Sequence, residues 1–289
     1  MSGKPILESE INNNMPVDPA QEREYNLRIR HPERGAIYDS FAARSAELRA
    51  SCVGYAPMRY AEGKGCVLDF FAAPVPGPAP LFIFVHGGYW RALDRGIFSF
   101  MAAPWLARGA HVAMIGYDLA PALGVTAIVA EVGAALHFLR GRAAAFGIDL
   151  QRVVISGHSA GAQLGAMQLC ATPGWRPAGY VGVSGVYDLQ PLLATSINRD
   201  VRLDAAEARA MSPIHRPATA GTRHICAVGA DETAGFRSQS HAYAAYLRQH
   251  QCEAVAIELP CRNHFDVLED LANSEHDLFR RSYGLLPAA

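Results

Sequence analysis

The residues of this chain best placed to do chemistry are a serine, an acid and a histidine that follow one another in a set order. Ser159 stands in Gly157-His158-Ser159-Ala160-Gly161, a match to G-x-S-x-G. At this chain's glycine and serine frequencies roughly 0.1 such matches arise by chance, so the setting carries more weight than the pattern. The apolar run Val153-Val154-Ile155-Ser156 leads into it, and a stretch rich in small residues (Ala160, Gly161, Ala162, Gly165, Ala166) leads out. Strand, turn and helix in that order form a nucleophile elbow. Glycines are needed there because the turn is tight and because sheet and helix approach closely. Such a turn lifts the serine hydroxyl to the carboxyl edge of the sheet, where open α/β folds bind their ligands.

A serine hydroxyl is a weak nucleophile until a base takes its proton, and histidine titrates in the right range for that task. Hydrolases with this elbow order their residues as serine, acid, histidine. Asp231 follows the expected strand His224 to Val228, and His264 follows the one ending at Leu259. Both therefore sit on loops that can reach the edge carrying Ser159. Asp231 is the preferred acid, with the adjacent Glu232 as the alternative, and Asp266 reads as an acid at a helix start. His31, His137, His241, His250 and His276 fall in helices or exposed turns, whereas His158 should form a wall beside the nucleophile. The stretch His86-Gly87-Gly88-Tyr89-Trp90 directly follows Leu81 to Val85, an unbroken apolar run. That is the position of an oxyanion loop, in which Gly87 and Gly88 turn backbone N–H groups inward and the Ala160 N–H adds a donor. Loss of one such donor typically costs about 2.7–4 kcal/mol of barrier.

The elements needed to hold these groups are legible as an alternation. Expected strands are Leu68 to Ala72, Leu81 to Val85, His111 to Gly116, Arg152 to Ser156, Tyr180 to Ser184, His224 to Val228 and Ala254 to Leu259. Between and around them lie expected helices at Glu22 to Ala50, Gly96 to Arg108, Thr126 to Phe146, Ala160 to Cys170, Ser238 to His250 and Phe265 to Tyr283. Strands buried on both faces and separated by helices argue for an α/β fold with a doubly wound, mostly parallel sheet. Residues 1–20, with Asn12-Asn13-Asn14 and several prolines, read as a loose lead-in to one domain over 21–289. Residues 185–221 break the rhythm and are a candidate helical cap over the site.

Composition narrows the function classes. In 289 residues, 26 basic and 27 acidic side chains leave a formal net charge of −1, and half the residues are hydrophobic. Nothing in this balance suits a nucleic acid or an anionic membrane surface, and a small, fairly apolar ligand fits better. The six cysteines form no C-x-x-C pair and no zinc spacing, so buried free thiols and no metal are expected. Met1 to Asn14 lacks an apolar leader core, and no run of about 18 apolar residues occurs; a cytoplasmic protein is the expectation.

The quoted segments resemble the kynurenine formamidase (arylformamidase) family of α/β-hydrolases. The likeness rests on His86-Gly87-Gly88-Tyr89-Trp90 and Ser159-Ala160-Gly161. It extends to Tyr117-Asp118-Leu119-Ala120-Pro121, Ser184-Gly185-Val186-Tyr187-Asp188-Leu189, Asp231-Glu232-Thr233 and Asn263-His264-Phe265-Asp266. It runs from about Tyr25 to the end of the chain. The resemblance implies a cofactor-free hydrolase that removes the formyl group of N-formylkynurenine or a similar aryl formamide, with Ser159, Asp231 and His264 as its triad. Tyr89, Trp90, His158 and Tyr187 would then wall the substrate ring, and a tight acyl site would admit only a formyl group. The His-Gly-Gly loop and the triad are shared with many esterases, so a carboxylesterase of short acyl esters is the alternative. The partner expected is a small aromatic amide or ester, and a homodimer is left open.

Overall fold

A computed structural model describes residues 16–171, 176–218 and 220–288. Of the expected lead-in over residues 1–20, residues 1–15 lie outside the described residues, and a helix already begins at Pro19. Eight strands form one sheet in the order β1-β2-β4-β3-β5-β6-β7-β8. They are β1 (Tyr55–Arg59), β2 (Val67–Phe71), β3 (Ala79–Val85), β4 (His111–Ile115), β5 (Ile148–His158), β6 (Gly179–Val183), β7 (Arg223–Gly229) and β8 (Ala254–Leu259). Only β1 and β2 run antiparallel to their neighbours; β4 through β8 pair in parallel. This is the mostly parallel sheet of an α/β-hydrolase.

Parallel sheets need both faces covered, and the helices supply that cover. In chain order they are α1 (Pro19–Tyr25), α2 (Arg34–Ser51), α3 (Ala102–Ala107), α4 (Val125–Gly141), α5 (Ala143–Phe146), α6 (Ala160–Ala171), α7 (Asn198–Val201), α8 (Ala205–Ala210), α9 (Ala234–Gln249) and α10 (Asp277–Tyr283). Every residue of β3 is buried, as its unbroken apolar run requires. One face of the sheet, with Ile83, Ala113 and Ile155, packs against α4 through Ile128, Val132, Leu136 and Leu139. The other, with Phe82, Phe84 and Val112, packs against Phe98, Trp105 and Phe279; Trp105 stacks on Phe82 at 4.0 Å between ring centroids.

Several boundaries differ from the sequence expectation, each for a local reason. The expected helix Glu22 to Ala50 is α1 and α2, separated by a turn in which Arg34 Nη1 donates to the carbonyls of Arg28 and His31. That break turns residues 26–34 toward the site. The expected helix from Gly96 opens as a tight turn over Arg95–Met101 before α3 begins, and the last expected helix is the short turn Val267–Asp270 followed by α10. β1 was not anticipated, since Pro57 sits within it; an edge strand tolerates a proline that a central strand would not. Residues 185–221 hold α7, α8 and two short turns between β6 and β7. Among the described residues the six cysteines are free, with Cys66, Cys226 and Cys252 buried and Cys261 exposed, and no helix is long and apolar enough to cross a membrane.

Two buried histidines tie stability to pH. Burial pushes His86 and His224 down to about 4, and neither ring nitrogen of His224 has a partner. An unfolded histidine titrates near 6.5, so between about pH 6.5 and 4 the unfolded chain binds more protons and stability falls as pH falls. Above pH 6.5 both groups are neutral in both states and contribute no slope. A complete shift of this size corresponds to about 3 kcal/mol per histidine. Denaturant midpoints measured from pH 7 to 4.5 should therefore decline, and His224→Leu, which removes two unpaired polar atoms, should flatten that decline. An unchanged slope in the variant would show that His224 titrates normally.

Candidate active site

The expected site residues come from the carboxyl ends of five consecutive parallel strands. The loop after β3 carries Gly87 and Gly88, the turn after β5 carries Ser159, and the loop after β6 begins at Ser184. Glu232 follows β7 and His264 follows β8. Because Val85 pairs with Gly157 and His158 with Val183, these turns leave the sheet side by side. Ser159 has φ +55°, a left-handed conformation that a non-glycine residue adopts at a cost of about 1–3 kcal/mol. The Ser159 N–H donates to the Val183 carbonyl at 2.9 Å, which fixes the elbow against β6.

The flanking glycines are sterically required. A Cβ on Gly161 would lie 2.0 Å from the Val85 carbonyl oxygen, and one on Gly157 would lie 2.3 Å from the Gly161 carbonyl oxygen. Gly87 faces Ser159, since a Cβ there would come 3.0 Å from Ser159 Cβ. Gly88 has φ +110°, and its position too leaves no room for a side chain. Ala160 is the first residue of α6, so its N–H lies outside the helix's own hydrogen-bond ladder and at the positive end of its dipole.

The carboxylate beside His264 is the main correction. Asp231 is exposed, and the contact with His264 is made instead by Glu232. The Glu232 Oε2 lies 2.7 Å from His264 Nδ1, with both side chains buried. Its other oxygen accepts from Ser184 Oγ at 2.5 Å and from the Gly229 N–H at 2.8 Å. Three donors around one carboxylate hold it still. Ser184, which sequence reasoning quoted without a role, thus helps to orient the Glu232 carboxylate. It does so from a left-handed backbone, φ +52°.

Ser159 and His264 line one cavity of about 250 Å³ together with Gly88, Tyr89, His158, Phe265, Leu27 from the α1–α2 turn and Tyr38 from the first turns of α2. The expected ring contacts divide. Tyr89 and His158 are in this wall. Trp90 and Tyr187 are not: both are fully buried. Trp90 donates from Nε1 to Gln163 Oε1 at 3.0 Å and so ties the loop after β3 to α6. Tyr187 stacks on Tyr243 at 4.2 Å and fills a slot left open by Gly182 and Gly185. His158 donates from Nε2 to the His264 carbonyl, 2.9 Å away, and burial together with the neighbouring His264 holds it well below the usual histidine range. It therefore stays neutral beside His264.

Sequence reasoning missed the contribution of the α1–α2 turn, which carries no recognisable motif. Tyr89 Oη anchors it by donating to the Tyr25 carbonyl at 2.7 Å. The described residues of 185–221 contribute none to the cavity wall, and Asp200 among them pairs with Arg91 of the wall. One group of potential metal ligands, Cys66, Asp118 and Glu131, has its ligand atoms within 4.8 Å of one another, away from this cavity.

The fold is that of an α/β-hydrolase, and the comparisons with known proteins agree. The family model BD-FAE matches residues 68–173. A crystal structure from Silicibacter sp., described as a candidate thioesterase, superposes with a TM-score of 0.75 at 32% identity, covering 88% of this chain and 94% of that one. A thermophilic carboxylesterase cloned from a metagenomic library shares the fold with a TM-score of 0.71 at 16% identity, covering 89% and 98%. The kynurenine formamidase of Salmo salar is 30% identical over 233 residues, 76% of this chain and 77% of the relative; that of Danio rerio is 29% identical over 230 residues, 75% and 76%. The chain belongs to the kynurenine formamidase family and is a hydrolase.

Proposed function

We propose that this chain hydrolyses the formyl amide of an aryl formamide of the N-formylkynurenine type. The observation that carries the reading is the single cavity shared by Ser159 and His264, in a chain whose family relatives are formamidases. In this reaction the Ser159 hydroxyl attacks the formyl carbon while His264 takes its proton, and Glu232 holds the imidazole in the tautomer that presents a free Nε2. The oxyanion receives the N–H groups of the glycine loop and of Ala160. His264 then gives its proton to the aniline nitrogen as the C–N bond breaks. Water, deprotonated by His264, attacks the formyl-enzyme; the C–O bond to Ser159 breaks, formate leaves and the serine recovers its proton. Gly87 lies so close to Ser159 that the acyl side is tight, which suits a formyl group.

Carboxylesterase structures with the same fold support a second reading, hydrolysis of short acyl esters. The deciding measurement is kcat/KM for N-formylkynurenine against p-nitrophenyl acetate, with fluorophosphonate labelling of Ser159 as a control. The formamide should be preferred by at least tenfold, and Ser159→Ala should abolish both labelling and turnover. An ester preferred by orders of magnitude would give the second reading, and labelling that survives Ser159→Ala would place the nucleophile elsewhere.

A further inference from the structure

The short helix α1 is bonded to three of the loops that leave the carboxyl ends of the strands. On the loop after β7, Glu24 Oε2 accepts from the Gly235 N–H at 2.6 Å, and the Glu24 carbonyl accepts from Thr233 Oγ1 at 2.8 Å. Thr233 directly follows Glu232. On the loop after β3, the Tyr25 carbonyl accepts from Tyr89 Oη. On the loop after β6, Ser196 donates to the Glu22 carboxylate from its N–H at 2.8 Å and its hydroxyl at 2.6 Å. The buried Tyr25 ring packs on Phe236 at 5.6 Å between centroids, and Phe236 in turn lies 4.4 Å from the His264 ring.

Two of these loops need holding. Gly88, Tyr89 and Trp90 have φ of +110°, +50° and +56°, three successive left-handed residues of which two carry side chains. Such backbone persists only where its surroundings over-determine it. Trp90 is fixed by Gln163 and by the Ala120 N–H, which donates to its carbonyl at 2.8 Å, whereas the Tyr89 hydroxyl is fixed by α1 alone. After β7, Thr233 precedes α9 without capping it by a side-chain hydrogen bond. The Gly235 N–H, a first-turn donor with no partner inside its own helix, is met by Glu24 instead. We propose that α1 is a strap that sets the Glu232 turn and the loop after β3 in register, with Glu24 as its positioning residue. The inference rests on the hydrolase reading above only for the chemistry at Ser159. Glu24 is outside the wall of the cavity, so it acts through the turn it holds and touches no substrate. With Glu24 released, the start of α9 and Phe236 are free to shift, and with them the alignment of Glu232 and His264; Tyr25 moves with its neighbour and loosens Tyr89.

The test compares Glu24→Ala with Glu24→Gln, whose side-chain oxygen can still accept from Gly235. Turnover of N-formylkynurenine and the rate of fluorophosphonate labelling are measured per folded molecule, with amide hydrogen exchange alongside. Glu24→Ala should lower kcat and the labelling rate by about tenfold to a hundredfold with KM within about threefold, and Glu24→Gln should stay within about threefold of wild type. Exchange should rise at least about fivefold across residues 87–90, which the Glu24 side chain does not touch, while β3 and β7 keep their protection. Thr233→Val, which removes the second bond to Glu24, should act in the same direction and carries the test if Glu24→Ala does not fold. A kcat for Glu24→Ala within threefold of wild type, an equal loss in Glu24→Gln, or faster exchange confined to residues 233–236 would overturn the inference. Labelling and turnover of the wild type report on the hydrolase reading separately; if both are absent, that reading fails and the exchange alone decides on the strap.

Discussion

Glu232→Gln is expected to lower kcat by about 10³–10⁴, whereas Asp231→Asn should leave it within a few-fold. The carboxylate of Glu232 accepts from His264 Nδ1 at 2.7 Å, so it sets both the ring's orientation and the nitrogen that carries the proton. An amide of the same shape would present an N–H or a neutral oxygen there, so the imidazolium formed during attack would lose its counter-charge. It would also leave the short contact from Ser184 Oγ and the bond from the Gly229 N–H facing a weaker acceptor. Asp231 sits one residue away but points to solvent, where charge is screened by water and salt. Glu232→Asp should fall between the two, because the shorter arm keeps the charge and loses the reach. Steady-state rates with circular dichroism as a folding control decide the matter. A larger loss from Asp231→Asn than from Glu232→Gln would return the acid's role to Asp231.

That pair also shows where sequence reading stops. The elbow and the His86-Gly87-Gly88 loop were legible because each depends on backbone that only small residues can follow, and such requirements are written locally in the chain. The alternating strands were legible for a similar reason: β3 and the second half of β5 are buried on both faces and so read as apolar runs. The choice between Asp231 and Glu232 turns on which side of one peptide each side chain leaves, and spacing from the strand resolves no better than that. The available signal was weak, namely that a longer acid can reach back to the Gly229 N–H and form its own turn. The aromatics failed differently. A residue that must be apolar reads alike whether it lines a cavity, as Tyr89 does, or wedges a loop against a helix, as Trp90 does. The α1–α2 turn was invisible because its part in the site comes from packing at long sequence separation.

The second large effect is structural: Gly161→Ala should cost at least about 4 kcal/mol, or prevent accumulation of folded protein, although the change is a single methyl group on a helix. In an ordinary exposed helical position the same substitution is favourable by about 0.4–1 kcal/mol, because it restricts the unfolded chain. Gly141, at the end of α4 with nothing within 4 Å of the place a methyl group would take, supplies that control within the same molecule. At Gly161 the new Cβ would fall 2.0 Å from the Val85 carbonyl oxygen and 2.4 Å from that of His86. Both are backbone atoms, so no rotamer change relieves the overlap; β3 and the oxyanion loop would have to move away from α6. Val85 is paired to β4 on one side and β5 on the other, which makes that movement costly. Any folded fraction should in addition be a poor catalyst, since displacing His86 also displaces Gly87 from Ser159. Urea unfolding of the two alanine variants beside the wild type measures the contrast. Wild-type stability and turnover in Gly161→Ala would mean that helix and sheet are not in the close contact on which the elbow depends.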